Sequence, residues 1–96
     1  SSGVPVRYEP DCTVSNSIIA DSCRIQGNVF NSILFQGVTV EKGATIKNSV
    51  IMKDSTVGEN AVLEFCILDK NSKIGNSKLL MGVDRFPVVI QKGSMV

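Results

Sequence analysis

Aliphatic residues recur along this chain at steps of five and six. The series is Val14, Ile19, Ile25, Val29, Leu34, Val40, Ile46, Ile51, Val57, Leu63, Leu68, Ile74, Leu80, Ile90 and Val96. From Leu34 to Leu80 the steps run six, six, five, six, six, five, six, six, so three steps make a unit of 17 residues. Four residues after seven of these aliphatics stands a small or modest side chain: Cys23, Val38, Ala44, Ser55, Ala61, Ser72 and Ser94. An amphipathic helix needs apolar residues three and four apart, and a lone half-buried strand alternates every two. Neither period gives sixes and fives over this length. A three-sided coil does: each side a strand of about four or five residues, each corner a tight turn, the recurring aliphatic pointing inward and successive coils joined by parallel ladders about 4.8 Å apart.

One pattern is written twice within the chain. Asn31-Ser-Ile-Leu-Phe-Gln-Gly-Val-Thr-Val-Glu-Lys-Gly-Ala-Thr-Ile46 is followed by Asn48-Ser-Val-Ile-Met-Lys-Asp-Ser-Thr-Val-Gly-Glu-Asn-Ala-Val-Leu63. A short repeat cannot bury its apolar face alone and must stack on its neighbours. This hexad arrangement resembles the hexapeptide-repeat, left-handed parallel β-helix family, from about Val14 to Val96. The resemblance implies an all-β fold of about five triangular coils. It also supplies the left hand, because parallel crossovers are ordinarily right-handed.

Taken in order, residues 1–7 read as a lead-in, with Ser1-Ser2-Gly3 as a cloning scar, and 8–96 as the β-helix domain. Val4-Pro5-Val6 is extended, since a residue before proline is pushed towards β geometry. The step from Ile25 to Val29 is only four residues, and Gly27-Asn28 is expected to tighten that corner through positive φ. Asn16, Asn31 and Asn48 fall in one corner column, where left-handed backbone and stacked amides both favour asparagine. After Leu80, Met81-Gly-Val-Asp-Arg-Phe-Pro87 is expected to replace a corner and one side, and Val88–Val96 then matches Val38–Ile46. Two readings of that loop are open: a plug over the last coil with Phe86 as apolar stopper, or a contact to another subunit or an effector.

Composition narrows the chemistry. A net charge of +1 with mixed signs gives no footprint for nucleic acid or an acidic membrane. No apolar run is long enough to span a bilayer and no signal peptide opens the chain. Cys12 and Cys23 sit at small positions and Cys66 in the column of Ser17, Ser32 and Ser49. Three cysteines without a C-x-x-C spacing suit packing residues in a reducing cytosol better than a disulfide framework. In the resembled family, acyltransferases use histidine as general base and carbonic anhydrases bind zinc through three histidines. This chain has none, so neither chemistry finds its essential group, and an acyltransferase would need another base. No G-x-S-x-G, P-loop or paired-carboxylate motif occurs. Asp21, Asp54 and Asp69 are isolated corner carboxylates. No catalytic residue, metal ligand or cofactor is assigned.

Outward positions carry more information. The residue after the inward aliphatic gives the column Ala20, Phe35, Met52, Asp69, and a neighbouring corner column is Ser15, Phe30, Lys47, Glu64. Phe30, Phe35 and Met52 are expected to form an apolar patch, and with Phe86 they are the candidate interface residues.

The repeats Asn31-Ser-Ile-Leu-Phe, Asn48-Ser-Val-Ile-Met-Lys-Asp-Ser-Thr-Val-Gly-Glu and Ile67-Leu-Asp-Lys-Asn, and the ending Pro87-Val-Val-Ile-Gln-Lys-Gly-Ser-Met-Val96, are also similar to the C-terminal domain of the bacterial glucose-1-phosphate adenylyltransferase family. The GlgD, or glycogen biosynthesis, subunit type is the nearer likeness. This resemblance implies a cytoplasmic, oligomeric protein in which an N-terminal nucleotidyltransferase domain makes ADP-glucose, while the β-helix serves assembly and allosteric regulation. That catalytic domain has no counterpart in these 96 residues. The implied partners are the catalytic subunit and the chain's own N-terminal domain, with the chain itself a piece of a longer protein. The effector ligands of the family do not map onto Lys42, Lys92 or Arg85. The alternative is a β-helix interaction scaffold of another sugar-nucleotidyltransferase-related protein or of a translation-factor exchange subunit.

Overall fold

The computed structural model describes residues 3–96; the scar reading at Ser1-Ser2 lies outside them. Fifteen short strands form three five-stranded parallel sheets, one on each side of a triangular coil. The first face stacks β1 (Arg7–Tyr8), β4 (Arg24–Ile25), β7 (Thr39–Val40), β10 (Thr56–Val57) and β13 (Lys73–Ile74). The second stacks β2 (Thr13–Ser15), β5 (Asn28–Phe30), β8 (Thr45–Lys47), β11 (Val62–Glu64) and β14 (Leu79–Met81). The third stacks β3 (Ile18–Ile19), β6 (Ile33–Leu34), β9 (Val50–Ile51), β12 (Cys66–Leu68) and β15 (Val88–Ile90). The strands are two or three residues long, shorter than the expected sides, because the corners take the remainder of each hexad.

Register follows the 17-residue unit: Val40 lies beside Val57 and Val57 beside Ile74, while Ile46 pairs with Leu63 and Leu63 with Leu80. The recurring aliphatics meet on one axis. Ile25, Val29, Leu34, Val40, Ile46, Ile51, Val57, Leu63 and Leu68 are fully buried, with Cys23, Val38, Ala44, Ser55, Ala61 and Ser72 beside them at the small positions. Each buried Leu or Ile contributes roughly 1.5–3 kcal/mol. Val14, Ile19, Leu80 and Ile90, in the outer coils of the described residues, are only half-buried, and Val96 is exposed. The small positions are also where polar groups are satisfied. Ser55 Oγ donates to the Asp69 carbonyl at 3.1 Å and accepts from the Ser72 amide at 3.1 Å. Among the described residues, every buried side-chain nitrogen or oxygen has a partner.

Two sequence expectations are corrected. Neither Gly27 nor Asn28 has positive φ; Gly27 is buried, and a Cβ there would run into the backbone carbonyl of Ala44 in the next coil. Close approach between coils therefore requires that glycine. The loop after Met81 replaces a corner and no side. Val88–Ile90 pairs with Cys66–Leu68 on the third face, so Ile90 stacks on Leu68 and does not belong to the column of Val40. Leu63 to Leu68 spans that corner in five residues and Leu80 to Ile90 in ten, an insertion of five.

Candidate interaction face

The corners are built from left-handed residues. Asn16, Asn31 and Asn48 have φ of 46°, 51° and 52° at the turn from the second face to the third. A short side chain that bonds locally tolerates this region. Their amides form a one-way ladder: Asn16 Nδ2 donates to Asn31 Oδ1 at 2.7 Å, and Asn31 Nδ2 to Asn48 Oδ1 at 2.6 Å. One position further in, Ser17, Ser32 and Ser49 each accept, through Oγ, the backbone N–H of the next member of their column; the last of these donors is Cys66, at 3.0 Å.

The asparagine ladder stops at Phe65, which takes the same corner with φ 51°. A bulky residue there is an outlier. The inserted loop arises directly above it. The Phe65 carbonyl accepts the Val88 N–H at 2.9 Å, and Val83 and Phe86 close a turn through mutual backbone bonds of 3.2 and 3.0 Å. Asp84 and Pro87 of the loop line one depression together with Phe65, which ties the loop to this corner. Phe86 is 78% exposed, so it is no stopper.

The expected outward columns have the expected register. Ser15, Phe30, Lys47 and Glu64 stack along the second face, and Ala20, Phe35, Met52 and Asp69 follow the third-face strands. Phe35 is 45% exposed, Met52 half-buried, and the Phe30 ring is half-covered by Lys47, whose Nζ lies 5.9 Å from its centroid. Phe30 ends β5 on the second face whereas Phe35 follows β6, so the two rings flank opposite edges of the third face. What lies between them was missed. Ile18, Ile33, Val50, Ile67 and Val89 form an unbroken outward column of β-branched aliphatics, one from each coil. Ile18, Ile33 and Val89 are 66%, 37% and 59% exposed. The signal was present in the sequence: each third-side aliphatic is immediately preceded by another, as in Ile18-Ile19 and Ile67-Leu68.

Neither of the other two faces is apolar outside along its whole length. The first carries Arg7, Arg24, Thr39, Thr56 and Lys73. Glu9 Oε2 accepts from Arg7 Nη2 and Arg24 Nε, each at 2.9 Å, clamping the first two coils. The bond from Arg24 chiefly holds the Glu9 carboxyl below its ordinary pKa, with the charge of Arg7 adding to it. The second face begins with Thr13, Asn28 and Thr45 before turning apolar at Val62 and Leu79.

A trough of about 680 Å³ runs along the asparagine edge of the third face, lined by Asn48, Val50, Phe65, Ile67, Asp84 and Pro87 among others. At the opposite edge a depression of about 290 Å³ is lined by Ala20, Phe35, Gln36, Lys53 and Lys70. Cys12, Cys23 and Cys66 are free thiols. Burial pushes the Cys23 and Cys66 thiols above their ordinary pKa. No helix of the described residues is long and apolar enough to cross a membrane.

Comparison with known proteins agrees with this architecture. The chain is similar to a glucose-1-phosphate adenylyltransferase of Thermotoga maritima, 46% identical over 43 residues, which are 45% of this chain and 10% of that protein. The corresponding enzyme of Geobacillus stearothermophilus is 42% identical over 43 residues, 45% of this chain and 11% of the relative. The glycogen biosynthesis protein GlgD of Bacillus subtilis is 44% identical over 43 residues, 45% of this chain and 12% of its own length. The matched stretch thus spans about a tenth of each of these relatives, and the resemblance seen in the repeats is borne out for both the adenylyltransferase and GlgD types. The profile of the family described as "GlmU-like, C-terminal hexapeptide" matches residues 4–86. With most of its length matched and its aliphatics stacked coil on coil, the chain belongs to the GlmU-like C-terminal hexapeptide family.

Proposed function

We propose that this chain is the β-helical part of a GlgD-like subunit of glucose-1-phosphate adenylyltransferase, serving oligomer assembly and allosteric regulation in glycogen synthesis. The observation that carries the reading is the pairing of one hexapeptide coil with relatives named both glucose-1-phosphate adenylyltransferase and GlgD. Formation of ADP-glucose and pyrophosphate from ATP and glucose 1-phosphate belongs, in this reading, to a nucleotidyltransferase domain outside these residues. The catalytic subunit and that domain are the partners, in the cytoplasm, and the coil itself works without a cofactor.

Four side chains are proposed as contact residues: Phe35 and Met52 on the lysine edge, Phe30 at the opposite corner and Phe86 on the loop. Phe35 and Phe86 are exposed and Phe30 and Met52 half-buried, and apolar side chains left at the surface around one face suit a partner surface. Replacing Phe35 and Met52 with serine is expected to weaken self-association or domain docking while leaving the circular dichroism spectrum unchanged. An unfolded double variant would refute their placement outside the wall. The functional reading is tested by expressing the full-length gene alone and with its catalytic companion and assaying ADP-glucose formation. The expected result is a change in rate or in effector response when the subunit is added; no change in either contradicts it.

A further inference from the structure

We propose that a notch in the corner between the first and second faces, at the level of the second coil, takes the tip of a tight peptide turn from a partner: an acidic residue followed by glycine. The notch originates in the sequence. The coil below turns this corner with Glu9-Pro-Asp-Cys12, and the coils above with Glu41-Lys-Gly-Ala44 and Gly58-Glu-Asn-Ala61. The second coil passes from Gln26 straight to Gly27. Register locates the shortening, because Arg24 pairs with Thr39 and Asn28 with Thr45, so four steps in the second coil stand beside six in the third. What results is a depression of about 390 Å³, walled by Pro10 and Asp11 on one side and Lys42 and Gly43 on the other, with Gln26 and Asn28 between. Its walls are two levels apart, roughly 9–10 Å.

The backbone of the walls specifies a peptide bond. In this corner the carbonyl before each left-handed residue accepts the N–H of the left-handed residue one coil up: Lys42 from Asn60 at 3.1 Å, and Glu59 from Ser77 at 2.7 Å. One trans peptide unit thus bonds in both directions. The shortened coil removes one such unit, and among the described residues neither the Pro10 carbonyl nor the Gly43 N–H has a backbone partner. A secondary amide between them, its N–H to Pro10 and its C=O to Gly43, completes the ladder as a main-chain strand completes a sheet edge.

Conformation and charge select the two residues around that amide. The second takes the place held by Asp11, Gly43, Asn60 and Ser77, whose φ of 70°, 75°, 59° and 60° are all left-handed, so glycine suits it best. The first lies under Lys42, which is exposed and has no ion-pair partner among the described residues; a carboxylate there meets a free cation. Asp11 stands beside the second position and disfavours a chain-terminal carboxylate, while Glu9 is already held by Arg7 and Arg24. An internal turn therefore fits where a free dipeptide does not.

The probe is a backbone-cyclised hexapeptide with Glu-Gly at the tip of its turn, added to the isotopically labelled chain. Two neutral hydrogen bonds and one exposed ion pair make a weak contact, and a dissociation constant below about 10 mM is expected. The Gly43 amide should shift and its hydrogen exchange should slow. Sarcosine in place of the tip glycine removes the N–H that Pro10 accepts and should weaken binding at least about three-fold. Lys42→Glu, a surface change, should weaken the Glu-Gly peptide about two- to five-fold and favour a Lys-Gly sister instead. Inserting Glu-Gly between Gln26 and Gly27 should fill the corner from within, protect the Gly43 amide without peptide and abolish binding; if that variant does not fold, the sarcosine and Lys42→Glu comparisons decide. No Gly43 response at about 20 mM peptide, equal binding of the sarcosine peptide, an unchanged charge preference in Lys42→Glu, or binding to a folded insertion variant overturns the proposal. So does N-methylacetamide acting on Gly43 as strongly as the hexapeptide at equal concentration, which would make any small amide the occupant.

Discussion

At the scale of single residues, the fold depends on side chains that accept a left-handed backbone. Among the described residues ten non-glycine positions have positive φ, and nine of them are Asn, Asp or Ser at corners; Phe65 is the tenth. Asn31 combines two tasks, holding φ 51° and passing the amide ladder on in both directions. Asn31→Ala should therefore lose about 1–2 kcal/mol, whereas Asn31→Gly keeps the backbone and should lose less; urea midpoints of the two variants check the order. The two buried thiols set a second expectation. Because burial raises the Cys23 and Cys66 pKa in the folded chain, their contribution is intact below the ordinary thiol pKa and is lost as pH rises towards the raised values. Stability should fall on the alkaline side. A Cys23→Ala, Cys66→Ala double variant should flatten that part of the pH profile, and a thiol reagent should modify both sites in the wild type no faster than the chain unfolds.

At the scale of elements, strands of two or three residues cannot stand alone, and each is held by its neighbours above and below. The inserted loop is a different kind of element. It occupies a corner that elsewhere needs no extra residues, so it can be removed without breaking a ladder. Deleting Val83–Pro87 restores the five-residue step from Leu80 to the inward Ile90 and should change stability by less than about 1 kcal/mol, as read by thermal denaturation. A collapse of the fold would mean that the loop's packing on Phe65 holds the last coil in place. The loop was legible in the sequence as an interruption, but its register was not. Val88–Val96 looks like Val38–Ile46 residue by residue, and that local likeness pointed to the first face for a strand that belongs to the third.

At the scale of the whole molecule, the sequence disclosed the inside better than the outside. One buried axis imposes a strict period, so the inward aliphatics and the small residues beside them could be named in advance. The outside obeys no such period. Attention to the residue after each inward aliphatic found Phe35 and Met52, yet the continuous apolar column comes from the residue before it, on one side out of three. Phe30 and Phe35 were expected in one patch and flank opposite edges because a corner lies between them. The central claim is a coil that climbs one level per 17 residues and is apolar both inside and outside on its third face. It is tested most directly by long-range methyl and amide nuclear Overhauser effects in the isotopically labelled chain. The account predicts contacts from Ile33 to Val50 and from Val50 to Ile67, 17 residues apart, with a shorter step of 15 from Ile18 to Ile33 and a longer one of 22 from Ile67 to Val89. Antiparallel pairings among these residues, or no contacts at these separations, would contradict it.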